Sequence, residues 1–323
     1  MPDALVGWTQ FPDIMIKPTQ ICLIAAILSG GLGLGGLDQA AAGDAGPDSP
    51  LKPRAYLFRG FAGMIFSRGT DDLADRIEKA GFEATVNEAV VCPQIAKDAI
   101  AEYRLNPALI VLIGHSMGGA CAISFAEILQ AEHIPVSLLV TTEPNRIAHK
   151  VPLNVQRYIG IYQSNSLLGG FDAVPAPGFR GHVATFDLAN HGEISHVNME
   201  KNGEIQDQVM NKILELADTP AKVEGQLVPI HYVVPADSAI ELWDSGRSVT
   251  TRSGDTLETL AAAHRVPLWS LTQANRLPDG TPIAIGTQIV VPRRLGPLAV
   301  QTSQKASSQK RATRAASRTS KME

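Results

Sequence analysis

The chain has 323 residues, 45% of them hydrophobic and 19% charged, with a formal net charge of -4. This length allows more than one domain with a substantial buried core. Because the net charge is slightly negative, the surface taken as a whole does not attract nucleic acid. No Cys/His cluster or Gly-rich phosphate loop occurs. We therefore expect no nucleic-acid partner, no metal and no cofactor.

The N-terminal segment has the pattern of an export signal. An apolar stretch at 21–37 is followed by Gln-Ala-Ala-Ala-Gly, in which Ala40 and Ala42 satisfy the small-x-small rule for cleavage. We predict a signal peptide over 1–42, with Met15 as a possible true start because a lysine follows it. The protein is then exported, to the periplasm or the cell wall. An uncleaved anchor is the alternative, although the glycines suit a spanning helix poorly.

Residues 54–217 alternate between strand and helix patterns. Such alternation predicts an α/β domain with a mostly parallel sheet and helices on both faces. The predicted strands are 55–58, 83–91, 108–113, 136–142, 158–163 and 182–188, and the predicted helices are 71–80, 93–103, 117–130 and 205–217.

The remaining chain divides into three parts. Residues 218–247 are predicted to be a linker with some strand-like content around 230–234 and 240–243, and 248–293 form a second small unit. The basic tail at 295–323 lacks apolar periodicity and is expected to be disordered.

Three cysteines occur, and one of them, Cys22, lies in the apolar N-terminal stretch. Cys92 and Cys121 are expected to be small buried thiols, although their spacing leaves a disulfide open.

The most informative motif is Gly-His-Ser-Met-Gly-Gly at 114–119. It follows the apolar run 108–113 and precedes a helical stretch, which is the context of a nucleophile elbow. Glycines flank Ser116 because a sharp strand-to-helix turn leaves room only for small residues. The motif predicts Ser116 as a nucleophile, with the N-terminus of the next helix beside it.

A serine hydroxyl needs a base to take its proton. Three histidines follow in the right region, and His182 belongs to the start of a strand, at the wrong end of the sheet. His191 and His196 both lie in the loop before the last helix. We favour His196, with His191 as the alternative base.

The base needs an acid to orient it, and three carboxylates are candidates. Glu143, in Thr-Thr-Glu-Pro at 141–144, ends the strand after the elbow helix and ranks first. Asp172 in a Gly-rich loop ranks second, and Asp187 at the end of the last strand ranks third. The oxyanion hole needs two N–H donors, which we assign to Met117 and Phe61, although Arg59 stands where histidine is more usual.

These motifs resemble those of a compact α/β-hydrolase of the lipase and esterase superfamily over 54–217. The resemblance rests on Gly-His-Ser-Met-Gly-Gly, the Arg-Gly-Phe turn at 59–61 and the late His196. Thr-Glu-Pro is similar to the Leu-Asp-Pro step of pancreatic-type lipases, with Glu in place of Asp. The resemblance implies hydrolysis of an acyl bond and does not define the substrate.

Residues 248–293 resemble a LysM domain, with a βααβ arrangement. The matching strings are Val-Thr-Thr-Arg-Ser-Gly-Asp-Thr-Leu at 249–257, Leu-Ala at 260–261, Asn-Arg-Leu at 275–277, Ile-Gly at 285–286 and Ile-Val-Val-Pro at 289–292. The resemblance implies binding of N-acetylglucosamine-containing glycan such as peptidoglycan, between two loops. The corresponding positions are Gly254, Asp255, Thr256, Leu257, Arg276, Leu277, Pro278 and Ile283.

Together these features predict an exported serine hydrolase, an esterase or lipase acting by Ser-His-acid acyl transfer, that LysM targets to cell-wall glycan. Its partners are then an ester or acyl substrate and the glycan. The alternative is a peptidoglycan-binding protein whose hydrolase scaffold is degenerate and inactive.

Overall fold

The computed structural model describes residues 51–61, 68–145, 148, 150–168, 171–218 and 226–294. The predicted signal peptide and basic tail lie outside these residues. The strands are β1 (Pro53–Arg59), β2 (Glu83–Glu88), β3 (Leu109–His115), β4 (Leu138–Thr142), β5 (Arg157–Tyr162), β6 (His182–Asp187), β7 (Ile230–Val233), β8 (Ser245–Thr250) and β9 (Gln288–Arg293). The helices are α1 (Arg68–Lys79), α2 (Cys92–Leu105), α3 (Met117–Ala131), α4 (Gly203–Asp218), α5 (Leu257–His264) and α6 (Leu268–Asn275). Among the helices of these residues, none has the length and hydropathy to cross a membrane.

Seven strands form a parallel sheet in the order β2-β1-β3-β4-β5-β6-β7. The central strand β3 shows why its sequence is a continuous apolar run. Ile110 and Leu112 pack into one hydrophobic cluster, whereas Val111 and Ile113 pack into another on the opposite face. Helices α1 and α4 cover one face of the sheet and α2 and α3 cover the other, so both faces are buried. The predicted α/β sheet is confirmed.

The small C-terminal unit has the predicted βααβ order, with β8 and β9 paired antiparallel. Thr256 caps α5, and its hydroxyl accepts the N–H of Thr259 while the Thr259 hydroxyl accepts the N–H of Thr256. Leu257, Leu260 and Leu271 form the centre of a separate small core.

The segment 218–247, which we expected to be a linker with some strand-like content, contributes β7 as the seventh strand of the sheet. Tyr232 of β7 and Trp243 are buried, with ring centroids 5.2 Å apart. Trp269 of α6 stands edge-on to Tyr232 at 5.4 Å. At the free edge of β7, the Gln273 side chain donates to the carbonyl of Val233 at 2.8 Å and accepts its N–H at 2.9 Å. The C-terminal unit therefore packs directly on the edge of the sheet.

The expectation that Cys92 and Cys121 are two buried thiols is wrong, because they form a disulfide. Their Cα atoms are 5.9 Å apart, which lies within the range that a disulfide spans. The bond joins the start of α2 to the second turn of α3, two elements that are neighbours in space but 29 residues apart in sequence.

Candidate active site

Ser116 occupies a strained turn between β3 and α3. Its φ of 55° and ψ of -117° lie outside the regions that L-residues favour. Two glycines make the turn possible. A Cβ at Gly114 would lie 2.1 Å from the carbonyl oxygen of Gly118, and one at Gly118 would lie 2.1 Å from that of Phe58. The turn therefore requires glycine at both positions.

Backbone hydrogen bonds hold the end of β4 beside Ser116. The Ser116 N–H donates to the carbonyl of Thr142 at 2.9 Å, and the Asn145 N–H donates to the carbonyl of Ser116 at 3.3 Å. Glu143 lies between these two attachment points. Its φ of 46° is in the left-handed region, and its side chain is fully buried.

The Glu143 carboxylate meets the ring of His196. Nδ1 of His196 is hydrogen-bonded to Oε2 of Glu143. Oε1 accepts the backbone N–H of Gln163 at 3.1 Å, and the hydroxyl of Ser166 donates to Oε2 at 3.4 Å. An ionised carboxylate only accepts, so this contact places the proton of a neutral His196 on Nδ1. Nε2 then carries the lone pair that a general base needs.

His115, between Gly114 and Ser116, also contacts the loop of His196. Its Nε2 lies 2.9 Å from the backbone carbonyl of His196, and the two ring centroids are 4.8 Å apart. A carbonyl only accepts, so His115 carries its proton on Nε2. Burial, and then the nearby His196, lower the pKa of His115 to about 4. His115 is therefore a neutral donor that fixes the backbone of the candidate base.

Gln163, directly after β5, secures the same loop. Its side-chain amide donates to three carbonyls, those of Leu188 at 3.2 Å, His191 at 3.3 Å and Ile194 at 2.9 Å. Its backbone binds Glu143, so one residue positions both the acid and the loop of the base. Sequence motifs do not reveal Gln163 or this function of His115, because both depend on contacts between residues that are distant in sequence.

The competing acids have other partners. Oδ1 of Asp187 accepts the N–H groups of Ser164 and Ala189, each at 2.9 Å, as a residue that caps a loop does. Oδ2 of Asp172 lies 3.6 Å from Nδ1 of His231. Burial raises the pKa of Asp172 to about 6, a hydrogen bond from Thr185 opposes this shift, and nearby Asp187 adds to it.

The competing base, His191, is buried, and its Nδ1 pairs with Oε1 of Glu193 at 3.1 Å. The structure thus brings Glu143 to His196 and gives His191 a different carboxylate. Within the described residues, no group of three or more His, Cys, Asp or Glu side chains is arranged to hold a metal.

The loop after β1 runs along the other side of Ser116. A Cβ at Gly60 would lie 3.2 Å from Cβ of Ser116, so the backbone that leads to Phe61 passes the nucleophile. Met117 begins α3, whose N-terminus lies at the same place. Arg59 is held by Asp71 and by Glu88, the latter at 3.0 Å, so its side chain anchors β1.

In the C-terminal unit the candidate glycan residues lie on two loops that Thr251 connects. The Thr251 hydroxyl donates to the carbonyl of Ala284 at 2.7 Å, and its backbone carbonyl accepts the N–H of Gly286 at 3.0 Å. Leu257 is buried in the core of the unit, so its side chain cannot meet a ligand. The exposed candidates are Gly254, Thr256, Arg276 and Pro278, while Asp255, Leu277 and Ile283 are half-buried.

Comparison with known proteins supports the two parts of the chain unequally. A family model of the LysM domain matches residues 249–292. The chain therefore contains a LysM domain that follows the strands of the seven-stranded sheet in sequence. A solved structure from Xanthomonas campestris pv. campestris, assigned to the alpha/beta superfamily of hydrolases, is 15% identical. The match covers 51% of this chain and 98% of the other, with a TM-score of 0.32. The α/β fold itself is defined by the parallel seven-stranded sheet described above. No curated protein sequence matches significantly.

Proposed function

We propose that the protein is an exported serine hydrolase that cleaves carboxylic esters and is brought to cell-wall glycan by its LysM domain. The observation that carries the proposal is the strained Ser116 placed beside a buried Glu143 that is hydrogen-bonded to His196. In a Ser-His-acid triad, these three side chains activate the serine hydroxyl.

In the first half of the reaction, Oγ of Ser116 attacks the carbonyl carbon of the ester. The hydroxyl proton passes to Nε2 of His196, and the π electrons of the carbonyl move to its oxygen. Backbone N–H groups of Met117 and Phe61 stabilise that negative oxygen, together with the N-terminus of α3. The tetrahedral intermediate collapses, the C–O bond to the alcohol breaks, and His196 returns the proton to the alcohol.

In the second half, water attacks the acyl-Ser116 ester while His196 takes one of its protons. Collapse of this intermediate breaks the bond between the acyl carbon and Oγ, His196 returns its proton to Oγ, and the acid is released. Glu143 stabilises the imidazolium in both halves, and its burial strengthens that interaction. His115 and Gln163 keep the loop of His196 in register throughout.

The LysM domain implies a second ligand, a glycan that contains N-acetylglucosamine, such as peptidoglycan. The two loops joined through Thr251 present backbone groups and exposed side chains, including Arg276. One copy of such a groove binds weakly, with a Kd of roughly micromolar to millimolar. Its contribution is a raised local concentration of the hydrolase at the wall.

Hydrolysis of nitrophenyl esters by the purified chain tests this proposal. Ser116→Ala should lower kcat/KM by about three orders of magnitude or more, because loss of a triad member removes the activated nucleophile. His196→Ala should do the same, and His191→Ala, the matched control, should not. A chain that hydrolyses no ester supports an inactive scaffold with a glycan-binding domain instead, and equal hydrolysis by Ser116→Ala would show that Ser116 is not the nucleophile.

A further inference from the structure

A cleft of ≈ 350 Å³ lies between α3 and the 3-10 turn Ala89–Val91, which follows β2. Met117 lines it, as does Asn145, whose N–H binds the carbonyl of Ser116. The cleft therefore reaches two residues that adjoin the nucleophile, one in sequence and one through a backbone hydrogen bond. Its volume falls within the roughly 300–1,000 Å³ of small-molecule sites.

One face of α3 forms a wall of this cleft. Met117, Ala120, Ser124 and Ile128 line it at spacings of three or four residues, which places them on one side of the helix. Eleven residues separate the first from the last, so the wall extends about 16 Å along the helix axis. A groove of this shape suits an extended chain better than a compact group.

The opposite wall is apolar, and a covalent bond ties the walls together. Ala89, Val90 and Pro93 line it, and the disulfide between Cys92 and Cys121 also faces the cleft. Ser124 and Asn145 are the polar side chains among the lining residues. A sugar in this place would leave most of its hydroxyl groups without partners, which costs binding energy, whereas an aliphatic chain needs none.

The apolar lining of the cleft reaches the surface of the molecule at Val90. Val90 is 79% exposed, and Phe61, on the neighbouring loop after β1, is 78% exposed. Both residues lie at the carboxyl end of the parallel sheet, where Ser116 also lies. An exposed apolar residue on the wall of a cleft, as Val90 is, offers contact to an apolar ligand.

We propose that this cleft binds the acyl chain of the substrate, so that the protein prefers esters of aliphatic acids longer than acetic acid. The inference rests on the proposed function and narrows it. It assigns Ser124, Val90 and Ile128 to chain recognition, and it argues against an enzyme that removes acetyl groups.

The test is kcat/KM for nitrophenyl esters of acetic, butyric, hexanoic and octanoic acids. Each buried methylene should raise kcat/KM of the wild type about fourfold until the cleft is full, which corresponds to 0.8 kcal/mol per methylene. Ser124→Phe fills the cleft and should lower the ratio of octanoyl to acetyl hydrolysis by at least about tenfold. Lys97→Phe, on the exposed side of α2, is the matched control and should leave the ratio unchanged.

Val90→Asp provides a second test that cannot fail through misfolding of the core, because Val90 is exposed. It should lower the same ratio by a smaller factor, while Leu105→Asp, at an equally exposed apolar position, should not. A wild-type profile that is flat or falls with chain length overturns the inference, as does a ratio that neither cleft variant changes. If the wild type cleaves no ester and a fluorophosphonate does not label Ser116, the proposed function fails, and the inference with it.

Discussion

Replacement of Trp269 by alanine should destabilise the seven-stranded sheet, although Trp269 belongs to the LysM domain. Its ring lies 5.4 Å from that of Tyr232 and 5.7 Å from that of Trp243. Each aromatic pair contributes about 0.5–1.5 kcal/mol beyond its buried area. The half-buried ring also loses its apolar contacts. We therefore expect the free energy of unfolding to fall by about 3 kcal/mol, the lower end of the 3–5 kcal/mol that truncation of a buried Trp costs.

For a domain of this size that loss corresponds to a fall in Tm of roughly 6–12 °C. Differential scanning calorimetry of the full-length chain measures the change in Tm, with the proposed ester hydrolysis after heating as a readout of the α/β domain. Ile285→Ala, at a LysM position that is 72% exposed, is the control and should change stability by less than about 0.5 kcal/mol.

Removal of the whole LysM domain should have a larger effect of the same kind. It would expose the faces of Tyr232 and Trp243 and leave the edge of β7 without the two hydrogen bonds of Gln273. An open strand edge promotes aggregation. A Trp269→Ala variant whose α/β domain unfolds at the wild-type temperature would contradict this prediction.

Three further predictions concern single groups. Glu143→Gln should lower kcat/KM by roughly 10³-fold or more, whereas Asp172→Asn should cost less than about tenfold; the reverse order would move the acid to Asp172. Burial raises the pKa of Glu200 to about 7 from 4.5, so the stability linked to its proton is complete below about pH 4.5 and is lost as the pH rises through about 7. Glu200→Gln should therefore make the free energy of unfolding fall less steeply with pH, as measured in urea titrations between about pH 5 and 8. The slope that it removes is at most about 1.4 kcal/mol per pH unit, and an unchanged slope would contradict the assignment. The double variant Cys92→Ser, Cys121→Ser should lose about 3–4 kcal/mol of unfolding free energy, and equal urea midpoints for variant and wild type would argue against the disulfide.

Local sequence patterns predicted most of the sheet because its strands are buried on both faces. The run that became β3 is apolar throughout for that reason, and α3, which packs on it, consists almost entirely of small and apolar residues. The predicted strand at 83–91 ends instead at Glu88, where the chain turns into the 3-10 helix that lines the cleft. Val90 and Val91 favour a strand by residue type, but no neighbouring strand pairs with them in the sheet register.

Local sequence patterns could not predict contacts between residues that are distant in sequence. β7 has four residues with alternating burial, a signal too short to separate from a linker. Its place in the sheet depends on Trp269 and Gln273, which lie about forty residues later. The disulfide and the loop contacts of Gln163 have the same origin, since each joins segments that the chain keeps well apart.

The candidate site divides in the same way. Its nucleophile follows from a local motif, because the strained turn at Ser116 requires particular neighbours. Preference for Glu143 over Asp172 and Asp187 depended on where strands end, and the structure adds the contact with His196 that no spacing could provide. The catalytic roles of these residues remain predictions.

The most direct test of the central claim is to locate the covalent adduct that a fluorophosphonate forms with the purified full-length chain. Peptide mass spectrometry should find one adduct, on Ser116, and the His196→Ala variant should react far more slowly because its serine is no longer activated. The absence of an adduct under conditions that label a known serine hydrolase, or an adduct on another serine with Ser116 unmodified, would contradict the account.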